Sequence, residues 1–266
     1  MGTPERVALV TGATGTIGEA IARQIAADAA FEVVVACRNE SKGKKTVERI
    51  IKATGNRQVR YELVDLSREA SVRALRARYN GPLHVLVNNA AQCPRDRTET
   101  PEGLEVQFAT NIMGYFWMMD AFESALAQSA PSRIVNVASY WAGGLDLSDL
   151  QFEKRQYDND SAYRQSKQAD RMLTVAFANR LEDTGITVNA CHPGDAHSKL
   201  SHDLGFGGHE TPDEAARTPV WLATNPIGAE VTGGYFEHLR ESQCRFATDR
   251  QAVLALDQAC AAFCQR

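Results

Sequence analysis

An α/β fold is predicted for this chain: a single Rossmann-type domain, residues 1–266, with a doubly wound parallel sheet flanked by helices. Three observations predict it. Short runs rich in Val, Ile and Leu alternate with helical stretches. The first such run opens into a glycine-rich turn followed by a helix-like stretch. No Pro/Ser-rich linker and no internal repeat divides the chain. Strands of this kind imply a parallel sheet covered on both faces, and the right-handed crossover rule makes it doubly wound.

The elements follow in order. RVALVT (6–11) precedes a helix near 16–29, and FEVVVAC (31–37) precedes one near 41–54. QVRYELVDL (58–66) precedes a helix near 69–79, and LHVLVNN (83–89) leads to a long helix near 104–129. SRIVNVAS (132–139) is followed by an irregular segment, a helix near 161–182 and the strand ITVNACHP (186–193). Ligands of such sheets bind beyond the carboxyl ends of the strands. Six of those ends carry polar residues or glycine: Thr11-Gly12, Cys37-Arg38, Asp65, Asn88-Asn89, Ser139 and His192-Pro193-Gly194.

Composition excludes several classes. The net charge is −4 with both signs mixed along the chain, unlike the basic stripe of a nucleic-acid binder. No apolar run reaches the roughly 20 residues that span a bilayer, and MGTPERVALV lacks the long apolar segment of a signal peptide. A cytoplasmic protein with a small-molecule substrate and no membrane anchor is expected. The six cysteines include no C-x-x-C pair and read as reduced thiols. His192, His197, His202 and His209 cluster in sequence without the spacing of a zinc site, so no metal is expected.

The turn after the first strand is T-G-A-T-G-T-I-G, with Gly12, Gly15 and Gly18. Gly12 can turn tightly out of the strand, Gly15 clears space for a pyrophosphate, and Gly18 lets the helix pack close to the sheet. The helix start near Thr16 offers free N–H groups and a positive dipole end, and Thr14 and Thr16 add hydroxyls. The second strand ends in Cys37 where an NAD enzyme would place an acid, with Arg38 next and Lys42 nearby. A guanidinium suits a 2′-phosphate, so NADP(H) is predicted.

SAYRQSKQAD (161–170) puts Tyr163 and Lys167 one turn apart on one helix face. Moving a phenol from pKa ~10 towards 7 takes about 4 kcal/mol of differential stabilisation, which nearby positive charge can supply. Ser139, Asn111 and the glycine turn accompany the pair.

Together these motifs resemble the short-chain dehydrogenase/reductase superfamily over nearly the whole chain. They are TGATGTIG (11–18), DLS (65–67), NNAA (88–91), TNIMGYF (110–116), NVAS (136–139), YRQSK (163–167) and HPGDAHSKL (192–200). The resemblance implies an oxidoreductase in which Tyr163 is the general acid in carbonyl reduction and the base in alcohol oxidation. Lys167 would hold the nicotinamide ribose and depress the Tyr163 pKa, Ser139 would hydrogen-bond the substrate oxygen, and Asn111 would anchor a relay water. Around the cofactor the resemblance places Ile17 in the phosphate turn, Asp65 and Leu66 at adenine, and Asn88, Asn89, Ala90 and Ala91 at the adenosine side. Pro193 and Gly194 would line the nicotinamide, with Ser198 at its carboxamide.

Three departures stand out. The family's commoner turn is T-G-x-x-x-G-x-G, with its middle glycine at position 16; here Thr16 follows Gly15. That spacing resembles the extended branch of epimerases and dehydratases, an alternative that usually needs a larger C-terminal domain than the stretch left after HPG. Ser139 and Tyr163 are 24 positions apart, and the insert 140–162 resembles the retinol dehydrogenase and protochlorophyllide reductase group. Asp195 follows Pro193-Gly194 and could meet a polar or cationic substrate group or face water. Cys93, Pro94, Trp141, Leu145, Tyr157, Leu204 and Phe206 are the expected pocket walls, with a glycine-rich flap over 195–210. The apolar run Phe116, Trp117, Met118, Met119 and Phe122 fits a homodimer or homotetramer face or packing on the sheet. A non-catalytic nucleotide sensor is the remaining alternative, since fold alone does not fix function.

Overall fold

A computed structural model describes residues 5–264. Its centre is an eight-stranded sheet in the order β3-β2-β1-β4-β5-β6-β7-β8. The first half comprises β1 (Arg6–Thr11), α1 (Thr16–Ala26), β2 (Phe31–Cys37), α2 (Glu40–Thr54), β3 (Val59–Leu63), α3 (Glu69–Arg78) and β4 (Val85–Asn88). The second comprises α4 (Gly114–Gln128), β5 (Ser132–Val137), α5 (Asn159–Arg180) and β6 (Ile186–Cys191). Four short helices follow, α6 (Lys199–Asp203), α7 (Pro212–Ala215), α8 (Arg217–Thr224) and α9 (Ile227–Glu230). The chain ends in β7 (Tyr235–Glu237), β8 (Arg240–Ser242) and α10 (Arg250–Phe263).

Seven strands run parallel, as β1 and β4 do with Ala8 opposite Val85. The exception is β8, which pairs antiparallel with β7. Sheet order reverses between β1 and β4, which places the ligand crevice at their carboxyl ends.

Strand side chains alternate between two cores because successive residues point to opposite faces. Val7, Leu9, Val34 and Ala36 join α3, α4, α5 and α10 on one face. Ala8, Val10, Val33 and Val35 join α1, α2 and α8 on the other. Local chemistry sets the helix limits. Asn39 caps α2 by accepting from the Lys42 amide at 2.9 Å, and Gly55 ends it at φ 74°.

The long helix expected near 104–129 is two pieces. Residues Phe108–Met113 form a π-helical turn before α4 begins. Gly114 follows it, where a Cβ would lie 2.9 Å from the Leu66 carbonyl, so the helix crosses close to that loop. Phe116, Trp117, Met118, Met119 and Phe122, which fitted either a subunit face or packing on the sheet, are buried in the core of the chain itself.

Candidate active site

The glycine turn is shaped as a cradle. A Cβ on Gly18 would lie 2.4 Å from the Gly12 carbonyl, and one on Gly12 (φ 63°) would lie 2.7 Å from Ala90 Cα. Both glycines therefore serve close packing. Gly15 is exposed, and a Cβ there would meet only the Gly12 carbonyl, at 3.3 Å. No side chain caps α1, so its first N–H groups are free to bind an anion. Thr14, Thr16 and Ile17 flank this opening with partial or full exposure. These features fit a pyrophosphate.

The crevice continues beside it. Arg38 and Lys42 are exposed and enter no ion pair among the described residues. Asp65 accepts from the Ser67 hydroxyl at 2.7 Å and from the Ser67 amide, which shapes the loop after β3. Leu66 is buried against Gly114. Asn89 donates to the Thr11 carbonyl at 2.9 Å and so ties β4 to the glycine turn. Ala90 packs on Gly12, and Ala91 follows, half-buried. Asn88 faces inward: it sits opposite Asn136 in the register and donates to its side chain at 3.0 Å. Asn136 donates in turn to Thr174 at 2.9 Å, so this ladder ties the sheet to α5.

Tyr163 and Ser139 line one cavity that opens to solvent. Ile17 joins it from the glycine turn, Pro193, Gly194 and Asp195 from the end of β6, and Ser198 and Phe206 from the flap. Burial raises the Tyr163 pKa, opposed by the Ser139 hydroxyl, so the phenol is protonated at neutral pH. Lys167 lies behind it, 5.9 Å from the Tyr163 ring centre. Asn111 sits in the π-helical turn, fully buried, donating to the Gln92 carbonyl at 3.0 Å and to Ser166 at 3.3 Å. A π-turn displaces backbone groups from regular pairing and is frequent at functional sites. Ser198 caps α6, accepting from the Ser201 amide at 3.1 Å.

Of the expected walls, Trp141 and Phe206 line the cavity, with ring centres 4.9 Å apart. Cys93 and Tyr157 do not. Cys93 is 3% exposed and packs against Asn159 and Gln107. The Tyr157 hydroxyl donates to the Pro94 carbonyl at 3.0 Å and accepts from Gln107 at 2.9 Å. Leu145 packs on the main core. Tyr140 and His192 also line the cavity; sequence reading had placed His192 at the end of its strand without a role in the wall, and had passed over Tyr140 and Arg171. Arg171 donates to the Ser139 carbonyl while its guanidinium lies 3.4 Å from the Tyr235 ring centre, which fixes the Ser139 loop. Burial, with His238 and Arg171 nearby, lowers the His192 pKa to about 3, so its ring is neutral. Among the described residues no group of three or more His, Cys, Asp or Glu is placed to hold a metal, and no helix is long and apolar enough to cross a membrane.

A parallel sheet with a phosphate cradle, and a serine and tyrosine facing one cavity beside it, defines a nucleotide-dependent oxidoreductase of the short-chain type. The chain belongs to the short-chain dehydrogenase/reductase family, whose members use a nicotinamide cofactor: the short chain dehydrogenase family model matches residues 6–205. Retinol dehydrogenase 13 of Mus musculus is 35% identical over 260 residues, covering 90% of this chain and 77% of the relative. A probable oxidoreductase of Streptomyces antibioticus is 36% identical over 259 residues, covering 90% and 86%. Among solved structures, an uncharacterised protein from Mycobacterium paratuberculosis superposes with TM-score 0.79 at 27% identity, covering 97% of this chain and 94% of that one. A variant of actinorhodin polyketide ketoreductase, solved with NADPH, gives TM-score 0.68 at 28% identity, covering 89% and 97%.

Proposed function

We propose that the protein is an NADP(H)-dependent oxidoreductase that moves hydride between the nicotinamide and a carbonyl or alcohol substrate, with Tyr163 as general acid and base. The observation that carries this reading is the shared cavity of Ser139 and Tyr163, bordered by Ile17 of the glycine turn and by Pro193 and Gly194. A bound nicotinamide supplies the hydride in reduction and accepts it in oxidation. Ser139 donates a hydrogen bond to the substrate oxygen and steadies the charge that builds there. Tyr163, protonated at neutral pH, passes its proton to that oxygen as the C=O carbon becomes CH–OH; oxidation reverses each transfer. Gly12, Gly15 and Gly18 with the α1 N–H groups hold the pyrophosphate, and Arg38 takes the 2′-phosphate. Asp65, Leu66, Asn89, Ala90 and Ala91 border the adenosine half, Asn88 stiffens that edge from inside, and Ser198 faces the nicotinamide end.

The substrate wall is aromatic at Tyr140, Trp141 and Phe206. Among the described residues Asp195 is the one charged side chain in the lining, and it accepts from the Tyr140 hydroxyl at 3.2 Å. His192 is neutral and leaves that charge uncompensated. Aromatic faces with a carboxylate favour a cation, so the favoured substrate is an apolar carbonyl compound bearing a basic nitrogen.

The test is a panel of ketones and aldehydes, in matched pairs with and without an amine, run with NADPH and wild type or Tyr163→Phe. Wild type should turn over amine-bearing members preferentially. The variant should lose roughly 100- to 10,000-fold in kcat while its NADP+-induced thermal shift is kept. Near-normal turnover by the variant removes Tyr163 from the chemistry, and a panel blind to the amine removes Asp195 from recognition.

A further inference from the structure

Lys167 is committed inside the protein to a partner that the proton transfer itself does not call for. Its side chain is 2% exposed, and it donates to Asp170 Oδ2 at 2.9 Å and to the Val137 carbonyl at 2.9 Å. Its third neighbour is the Tyr115 hydroxyl at 3.5 Å. Asp170 lies three residues further along α5, so one turn of helix brings its carboxylate to the ammonium. That side chain is fully buried, and its other oxygen, Oδ1, has no hydrogen-bond partner among the described residues. A half-satisfied buried carboxylate is costly unless a cation offsets it.

The surroundings leave one such cation. Around the pair stand Tyr163 on α5, Tyr115 on α4, Cys191 on β6 and Cys260 on α10. Burial raises the pKa of all four, so each is neutral through the physiological range. Among the described residues, Lys167 alone balances Asp170.

We propose that Asp170 is a positioning residue for Lys167: its carboxylate fixes the ammonium behind Tyr163 and cancels part of its charge, so a lysine–aspartate pair governs Tyr163. This rests on the reading of Tyr163 and Lys167 as the proton-transfer pair. A nearby ammonium lowers a phenol's pKa and a nearby carboxylate raises it. Asp170 acts on Tyr163 in the raising direction. Burial also pushes the Asp170 carboxyl up to about 7, against the pull of Lys167, so the pair changes charge near neutrality. When Asp170 takes up a proton, the ammonium acts on Tyr163 uncompensated.

Asp170→Asn keeps an oxygen for Lys167 and removes the charge. The pH dependence of kcat/KM for alcohol oxidation at saturating NADP+ should show its acid limb moved down by roughly 0.5–1 pH unit. Carbon-13 NMR of the wild-type protein without cofactor should show an aspartate carboxyl titrating near neutrality, absent from the variant. A superimposable pH profile overturns the proposal, as does an equal loss of activity at every pH. If Asp170→Asn does not fold, the wild-type carboxyl signal decides, and titration only in the ordinary acid range overturns it. Tyr163→Phe separates the two readings. If that variant is inactive while the Asp170→Asn profile stays put, only the pairing falls. If Tyr163→Phe stays active, the parent reading falls.

Discussion

At the scale of a single side chain, the proposed preference for NADP(H) rests on Arg38. Its guanidinium is exposed at the end of β2 and enters no ion pair among the described residues, so its charge is available to a ligand. The residue before it, Cys37, is buried under α2, where a Cβ on Gly43 would lie 2.7 Å from its sulfur. A carboxylate at position 37 would face that packing and not a ribose. Arg38→Ala should therefore weaken NADP+ binding by roughly 10- to 100-fold, the scale of one charge-assisted hydrogen bond, and change NAD+ affinity little. Calorimetric Kd values for both nucleotides check it, and equal losses for the two would deny Arg38 any contact with the 2′-phosphate. The candidate residues stood out in the sequence because they sit in short motifs, some at strand ends, as Ser139 does, and some inside helices, as Tyr163 and Lys167 do on α5. The wall was less so. Cys93 and Tyr157 were expected there because they flank the catalytic motifs in sequence, yet both turn inward to Gln107 and Asn159. Side-chain direction in irregular loops has no period to read.

At the scale of elements, the insert 140–162 is irregular up to the start of α5 but ordered around one carboxylate. Asp149, 3% exposed, accepts from the amides of Glu153, Lys154 and Arg155 at 2.7, 3.2 and 3.0 Å, and from Arg155 Nε at 3.1 Å. Burial alone would raise its pKa, but these donors outweigh it and hold the carboxyl at about 2, below its ordinary 3.8. A pKa depressed by folding adds stability above the unfolded value and loses it as pH falls through the folded one. Asp149→Asn should thus lower Tm at pH 7, and the gap to wild type should close as pH falls from 3.8 to about 2. Thermal unfolding across that range checks it, and a gap independent of pH would show that packing is at stake. The parallel core strands were legible from their apolar runs. The β7–β8 hairpin was not, because its turn residues His238 and Leu239 take φ of 48° and 62° without the Gly or Asn that signals such a turn. The π-helical turn at Phe108–Met113 was hidden too, since one extra residue per turn barely disturbs an apolar pattern.

For the whole molecule, the C-terminal helix closes the layer that carries Tyr163 and Lys167. Val253, Leu256 and Cys260 of α10 are buried in the same core as α4 and α5, and Phe263 meets Phe108 edge-on at 4.9 Å. The helix α10 thus packs on α5, a long-range contact that no local motif announces. Two leucines on α10 separate this docking from helix formation. Leu256 is fully buried, whereas Leu254 is 56% exposed. Both substitutions to Ala have similar helix propensity, so a difference between them reports packing. Leu256→Ala should cost about 2–5 kcal/mol, a fall of several degrees or more in Tm, and Leu254→Ala within about 0.5 kcal/mol. Equal Tm values for the two variants would mean that α10 does not dock on α5, and the helix lining behind Tyr163 and Lys167 would then need another cover.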